Sequence, residues 1–522
     1  MSLSDHPKAY GTAAVATAFV AGALVTLGFK DLYPDLERRY QQGRKSTSRA
    51  RRLASSSSWW SLSSSSRARR RSSFFWGGGG PVALEDHEVD DDDGEEGDDD
   101  SESAVAESSA VARRRRRRRS AGIVDGIAGC IGNTPLVRIG SLSAATGRTI
   151  LAKAEFLNGA GNSPKDRVAL HMIEAAEARG LLVPHRGDTI YEGTVGSTGI
   201  SLAALARARG YRCHICMPDD QAREKSDLLR HLGAVVERVP VAPITSPDHF
   251  VNLARRRAAE HTARAAAAAS SSSASPEQAS RGFFADQFES PFNHEAHYLT
   301  TGPEIWAQTG GRLDAFVAGA GTGGTISGVA RYLKEQVAKR EAESESEAAR
   351  QPLQVILADP QGSGLYHKVR DGVMFSPTER EGTRRRSQVD SVVEGVGLTR
   401  VTANFAAGAE LLDDAVRVPD ARARAMARWL AARDGLFLGS SSAVNCAAAA
   451  TAALTRLPPG EQSVVVTVLC DPGARHLSKF WRQVAEAGLE NDNDDRGSEG
   501  ADSRAELLEL LGLSEADVKV AA

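Results

Sequence analysis

Short apolar runs closed by glycine alternate with helical repeats from about residue 123 to about residue 487. This texture predicts an α/β region of about 360 residues built on parallel strands. In GNSPKDRVALHMIEAAEARG (161–180), Val168, Ala169, Met172, Ile173 and Ala176 recur at helical spacing. Ser163 suits an N-cap and Pro164 a first helical position, so Lys165 is expected in the first turn. GDTIYEGTVGSTGISLAALARARG (187–210) and LDAFVAGAGTGGTISGVARYLKEQ (313–336) each read as strand, small-residue turn and helix. YRCHICMP (211–218) reads as a short strand, and 264–282, 339–351 and 376–388 read as surface insertions.

Outside this region the pattern fails. Residues 9–29 are 21 consecutive positions without a charge, enough to span a bilayer. Only Lys8 precedes them, whereas Arg38, Arg39, Arg44, Lys45, Arg49, Arg51 and Arg52 follow, a bias that places the bulk of the chain in the cytosol. A retained transmembrane anchor behind a short tail (1–8) is therefore expected, ahead of a cleaved targeting segment or a buried helix. Residues 30–121 form a low-complexity linker with serine runs, an acidic block at 85–102 and seven arginines at 113–119. The formal net charge of −3 conceals both blocks. Neither buries apolar surface, and the arginines are expected to be a solvated tether, not a nucleic-acid site. Residues 488–522 read as an acidic tail with one short helix at 503–513.

Five cysteines, an odd number without a framework, point to a reducing compartment. Cys213 and Cys216 form a C-x-x-C, but three residues apart on a strand they face opposite ways, and no second Cys/His pair follows at zinc spacing. No metal site is expected.

The turn at 319–325 is a cradle for an anion. Backbone N–H groups of Gly321, Thr322, Gly323, Gly324 and Thr325 converge at a helix start, where they and the helix dipole favour a phosphate. Gly319, Gly321 and Gly324 also fit G-x-G-x-x-G, but no acidic residue follows at the ribose-binding distance. A Walker A reading fails for want of a lysine. A single phosphate monoester, such as pyridoxal 5′-phosphate carries, fits what remains. The second loop, 193–199, suits a carboxylate or is an ordinary turn. Lys165 is either a solvated surface lysine or an amine that the helix N-terminus pushes toward its neutral, nucleophilic form.

Six ordered motifs carry a resemblance: GNTPLVRI (132–139), GNSPKDR (161–167), EGTVGSTGIS (192–201), GAGTGGTISG (319–328), EGVG (394–397) and GSSSAVN (439–445). In this order they resemble the fold-type II pyridoxal-phosphate enzymes, in the branch of cysteine synthase and cystathionine β-synthase. Within that branch the chain is similar to membrane-anchored cysteine synthase-like proteins of fungi. The resemblance covers about 123–487 and implies a tryptophan synthase β-subunit-like fold. Two α/β domains hold the cofactor between them, the smaller at approximately 160–280 of a catalytic region at 122–487.

It implies that Lys165 carries pyridoxal 5′-phosphate as an imine and later removes the Cα proton. Gly321, Thr322, Gly323, Gly324 and Thr325 bind the phosphate; Thr194, Gly196 and Thr198, assisted by Gln287, hold the substrate carboxylate. Relatives place an asparagine where Ser197 stands and a serine where Val195 stands. Ser197 is then the residue set to reach the cofactor's phenolic oxygen, through its hydroxyl or a water. Ser441 faces the pyridine nitrogen, and a neutral hydroxyl there favours elimination and β-replacement over transamination. The implied reaction is cysteine synthesis from O-acetylserine, or a related serine derivative, and sulfide or another thiol. Cystathionine β-synthase, serine or threonine dehydratase, and a membrane-tethered pseudoenzyme are the alternatives. The expected form is a homodimer anchored in the mitochondrial outer membrane with its catalytic region in the cytosol.

Overall fold

Strand register explains why so many of the apolar runs lack alternation. A strand covered on both faces reads as a near-continuous hydrophobic run, and β3 (Thr189–Gly193) and β7 (Ala315–Gly319) are buried along almost their whole length. The computed structural model describes residues 123–271, 278–343, 352–375, 391–488 and 501–519. Residues 9–29, the two charge blocks and the proposed insertion at 376–388 lie outside them.

The other strands are β1 (Leu136–Arg138), β2 (Arg148–Ala154), β4 (Arg212–Pro218), β5 (Val235–Val239), β6 (Gly282–Phe284), β8 (Gln354–Pro360), β9 (Asp414–Val418) and β10 (Gly460–Leu469). Among the described residues they form a six-stranded sheet, β1-β2-β10-β7-β8-β9, and a four-stranded sheet, β5-β4-β3-β6. Every pairing is parallel except β1 with β2. In the small sheet the chain steps outward from β3 to β5 and then crosses back to β6 on the other side of β3. In the large sheet it steps from β7 to β9 and crosses back to β10 on the other side of β7. Each crossing makes a switch point, and ligand crevices in such sheets open at the carboxyl ends of the strands there.

Helices α1 (Lys165–Ala178), α2 (Ser197–Ala208), α3 (Arg223–His231) and α4 (Phe250–Ser270) pack around the small sheet, and α5 (Gly324–Glu343), α6 (Asp420–Asp434) and α7 (Ser440–Arg456) around the large one. Helix α7 is buried on all sides from Ser440 to Ala450, because its run of alanines lets α6 and the sheet approach closely.

At the start of α1 the Ser163 hydroxyl accepts from the Lys165 amide (3.3 Å) and Pro164 takes helical dihedrals, the N-cap and first-position roles expected of them, with Lys165 in the first turn. Two expectations are corrected. The alanines after Arg264 are not an inserted loop. They extend α4 to Ser270, as alanine's helix propensity allows. Nor is the helix near the C-terminus a detached tail. α8 (Ala501–Leu511) buries Leu507, Leu508 and Leu511 in the core of the large sheet, and Lys519 pairs backbone with Leu454 (2.8 Å).

Candidate functional site

The four segments leaving the two switch points line one cleft of about 270 Å³. β3 ends into Thr194, β6 into Gln287, β7 into Gly321 and β10 into Cys470 and Asp471. All twelve residues singled out in the sequence lie on or beside this cleft, and ten of them line it directly: Lys165, Thr194, Ser197, Thr198, Gln287, Gly321, Thr322, Gly323, Thr325 and Ser441. Gly196 and Gly324 stand within the same two loops.

Lys165 is the first residue of α1. The loop before it is fixed from two directions: Asp166 accepts from the amides of Ala160 and Gly161 and from the Ser201 hydroxyl (2.5 Å), and Arg475 donates to Gly161 O and to Asn162 Oδ1 (3.1 Å). Burial pushes the Lys165 amine below its ordinary range, against the opposing pull of Cys470, Asp471 and Glu155. The shift is in the expected direction, toward the neutral amine, but burial, not the helix N-terminus, is its principal cause.

At the glycine turn, the amides of Gly321, Thr322 and Gly323 have no acceptor among the described residues. These unspent donors stand at the start of α5 and fit a phosphate. Gly323 has φ +89°, and a Cβ there would lie 2.5 Å from the Phe405 backbone. Side chains that the sequence reading passed over hold this turn. Asn293 Nδ2 donates to Thr322 Oγ1 (2.8 Å), Thr402 Oγ1 to Thr322 O (2.7 Å), and Asn445 Oδ1 accepts from the Gly319 amide (2.7 Å). His297 pairs with Thr325 Oγ1 (3.1 Å) and Thr301 Oγ1 (2.9 Å), and its burial keeps it neutral, well below the usual histidine value.

Across the cleft, Thr198 Oγ1 donates to Gln287 Oε1 (2.5 Å) while Gln287 Nε2 donates to Gly193 O (2.9 Å). Gly196 takes φ +141°, and a Cβ there would meet Lys225 Cδ at 2.6 Å. Ser197 Oγ stands 3.4 Å from Asp471 Oδ2. Of the three serines opening α7, Ser440 bonds the Glu394 backbone and Ser442 accepts from the Cys470 amide, which leaves Ser441 to face the cleft. Beside it, the Cys470 thiol is pushed up to about 11, chiefly by burial, and is neutral at ordinary pH.

The segment after β10 was not singled out, although a small-residue turn behind an apolar strand is the signal that found the other two loops. It places Asp471, His476 and Lys479 on the cleft wall beside Lys225 and Glu394. His476 Nε2 lies 3.0 Å from Asp471 Oδ2 and its Nδ1 3.5 Å from Glu394 Oε2; Glu394 also pairs with Lys225 and, at 3.1 Å, with Lys479.

Cys213 and Cys216 face opposite sides of β4, as expected. His214, Cys216 and Glu237 do present donor atoms within 4.8 Å of one another, but Arg257 ion-pairs with Glu237 (2.9 Å), so a cation there would meet a guanidinium. All five cysteines are free thiols.

Comparison with known proteins places this geometry. Residues 127–471 match the family described as "Pyridoxal-phosphate dependent enzyme". Cysteine synthase 2 of Neurospora crassa is 58% identical over 516 residues, 99% of each chain. A cysteine synthase of Saccharomyces cerevisiae, named for the mitochondrion, is 49% identical over 362 residues, 69% of this chain and 85% of that one. Among solved structures, that of O-ureido-L-serine synthase superposes with a TM-score of 0.54 at 31% identity, covering 73% of this chain and 98% of the other.

Proposed function

Since this chain belongs to the pyridoxal-phosphate dependent enzyme family, in its cysteine synthase branch, we propose that it makes cysteine by β-replacement, from O-acetylserine or a related serine derivative and sulfide. The observation that carries this reading is the placement of the Lys165 amine, kept toward its neutral form by burial, in the same cleft as three unspent amides at a helix N-terminus. The name of a relative that matches this chain over nearly its full length supports cysteine as the product.

The donor set fits pyridoxal 5′-phosphate, which when bound supplies a sink for the electrons left on Cα after proton removal. Gly321, Thr322, Gly323, Gly324 and Thr325 would hold its phosphate, with Thr325 oriented by His297. A neutral Lys165 is nucleophilic enough to bond the cofactor covalently, and once displaced by the amino-acid substrate it is a base for the Cα proton. Thr194, Gly196, Thr198 and Gln287 would receive the substrate carboxylate at the start of α2. Ser441 would meet the pyridine nitrogen as a neutral hydroxyl, and Ser197 the phenolic oxygen. Ser197 donates to Asp471 (3.4 Å), so reaching the phenolic oxygen as a donor would require its hydroxyl to turn from that carboxylate.

The catalytic region is read as 122–487 with its smaller part near 160–280, functioning as a homodimer. Residues 9–29 are read as an anchor in the mitochondrial outer membrane, with the catalytic region in the cytosol; the name of the yeast relative supports the mitochondrial part. No helix of the described residues is long and apolar enough to cross a membrane, and 9–29 lie outside them. Deleting residues 1–30 is expected to release the protein from salt-washed membranes with its cofactor spectrum intact. The function itself is tested by supplying the purified protein with O-acetylserine and sulfide: cysteine must appear. Cystathionine with homocysteine instead, or a keto acid alone, would identify a cystathionine β-synthase or a dehydratase.

A further inference from the structure

One histidine of the cleft has the position of its proton fixed by the backbone. His249 is the N-cap residue of α4, and its Nδ1 accepts from the Val251 amide (3.2 Å). An amide only donates, so Nδ1 is bare and the proton of the neutral ring stands on Nε2. The residue is 6% exposed and lines the cleft, and its Nε2 has no acceptor among the described residues. With Nδ1 turned to the helix, a single neutral N–H is left for whatever fills the cleft.

The place of that donor follows from Gly193. A Cβ on Gly193 would meet Val251 Cα at 2.5 Å and Phe250 O at 2.8 Å, so the first turn of α4 packs against the residue before Thr194. The wall beside the expected carboxylate pocket therefore runs from Gly193 to His249, Phe250 and Ile244. Asn252 Nδ2 fixes the loop ahead of the helix by donating to Ile244 O (2.7 Å) and Ser246 O (2.8 Å). Arg400, also on the cleft, is paired with Glu289 (2.6 Å) and lies over the Phe288 ring (5.3 Å). The other wall is built of charged groups engaged with one another, Lys225 with Glu394 and His476 with Asp471.

We propose that His249 Nε2 donates to the carbonyl oxygen of an acyl group esterified to the Cβ hydroxyl of the amino-acid substrate, and so selects the leaving group. The proposal rests on the β-replacement reading above and adds the residue that distinguishes an O-acyl substrate from other serine derivatives. A neutral donor among apolar side chains suits a neutral ester carbonyl, whereas a phosphate would bring a charge that it leaves unbalanced. Serine and a β-halide offer it no carbonyl at all. As the Cβ–O bond breaks, its electron pair leaves with the carboxylate and spreads onto that carbonyl oxygen, so the donor gains strength in the transition state. Burial and, after it, the Arg400 guanidinium lower the ring to about 4, so it stays neutral and the donor persists across the neutral range.

The test uses the full-length holoenzyme with sulfide and two first substrates, O-acetylserine and β-chloroalanine, which differ only in the leaving group. His249→Asn and His249→Ser each keep an oxygen for the helix cap but are too short to place a donor where Nε2 stands. In both, the ratio of kcat/KM for O-acetylserine to that for β-chloroalanine, read as cysteine formed, is expected to fall about ten-fold. An unchanged ratio, with both substrates falling together or neither falling, makes His249 a structural cap and overturns the proposal. Two unreactive analogues supply a measurement on the wild type alone, read from the cofactor absorbance. β-Acetamidoalanine, which keeps the carbonyl, is expected to bind about five-fold or more tightly than O-ethylserine, which lacks it. Equal binding overturns the proposal even if the variants fail to fold. Absence of cysteine from both substrates in the wild type would instead overturn the β-replacement reading, and this proposal with it.

Discussion

Thr198 and Gln287 are joined by a 2.5 Å hydrogen bond between the loop that leaves β3 and the loop that leaves β6. Gln287 also donates to Gly193 O, so one amide locks both sides of the expected carboxylate pocket. Gln287→Ala would leave two buried polar groups without partners, at a cost of about 1–3 kcal/mol each. The expected result is a KM for the amino-acid substrate raised by about ten-fold or more, with a lowered urea midpoint. Titration of the cofactor absorbance with the amino acid measures the first, and denaturation the second.

Beneath that pocket lies Glu192, whose carboxyl is raised to about 8 by burial and by Asp286. A raised carboxyl binds its proton more tightly folded than unfolded. Its contribution is therefore complete below the unfolded value and is lost as pH rises through about 8. Glu192→Gln is expected to be tolerated and to flatten the loss of stability between the unfolded value of 4.5 and about 8, as read from denaturant midpoints across a pH series.

The helix bearing Lys165 is seated on a buried ion cluster. Arg167 pairs with Glu155 (2.8 Å) and Glu304 (2.7 Å), and Lys153 pairs with Glu304 (2.6 Å). Burial raises the Glu304 carboxyl, but Arg167 and Lys153 together outweigh it and hold it at about 2. A depressed carboxyl contributes stability above its unfolded value and loses it as pH falls toward about 2. Glu304→Gln leaves two buried cations short of a partner and is expected to cost about 3–5 kcal/mol. Urea melts at neutral pH check this, and the difference from wild type should shrink at acid pH.

The strand–turn–helix units at β3 and β7 were legible because glycine, serine and threonine punctuate them and because each turn opens a helix with apolar periodicity. Lys165 was legible for the same reason. What could not be read was the pairing of distant segments. His297, Asn293 and Thr402 act on Thr322 and Thr325 from elements far away in the chain, and nothing local marks them. The Asp471–His476 contact is local, but its meaning depends on Glu394 and Lys225 arriving from two other places. The alanines of α4 were misread because low-complexity composition hid an ordinary helical face, whereas the helix α8 was legible and only its packing into the core of the large sheet was not.

Gly323 offers a clean test of the phosphate turn. Its positive φ and the Phe405 backbone 2.5 Å from a would-be Cβ leave no room for a side chain. Gly323→Ala is expected to lower cofactor content at least ten-fold after dialysis, while Gly372→Ala, at an open surface turn of positive φ, retains it. Cofactor absorbance per chain decides between the two.

The account stands or falls on the lysine that bonds the cofactor. Borohydride reduction of the native protein, followed by proteolysis and mass mapping of the pyridoxyl-labelled peptide, reads that lysine directly. The label is expected on Lys165, and Lys165→Ala is expected to leave the cofactor held only by the glycine turn and removable by dialysis. A label on Lys153, Lys225 or Lys479, or none at all in a protein that turns over substrate, would contradict the assignment.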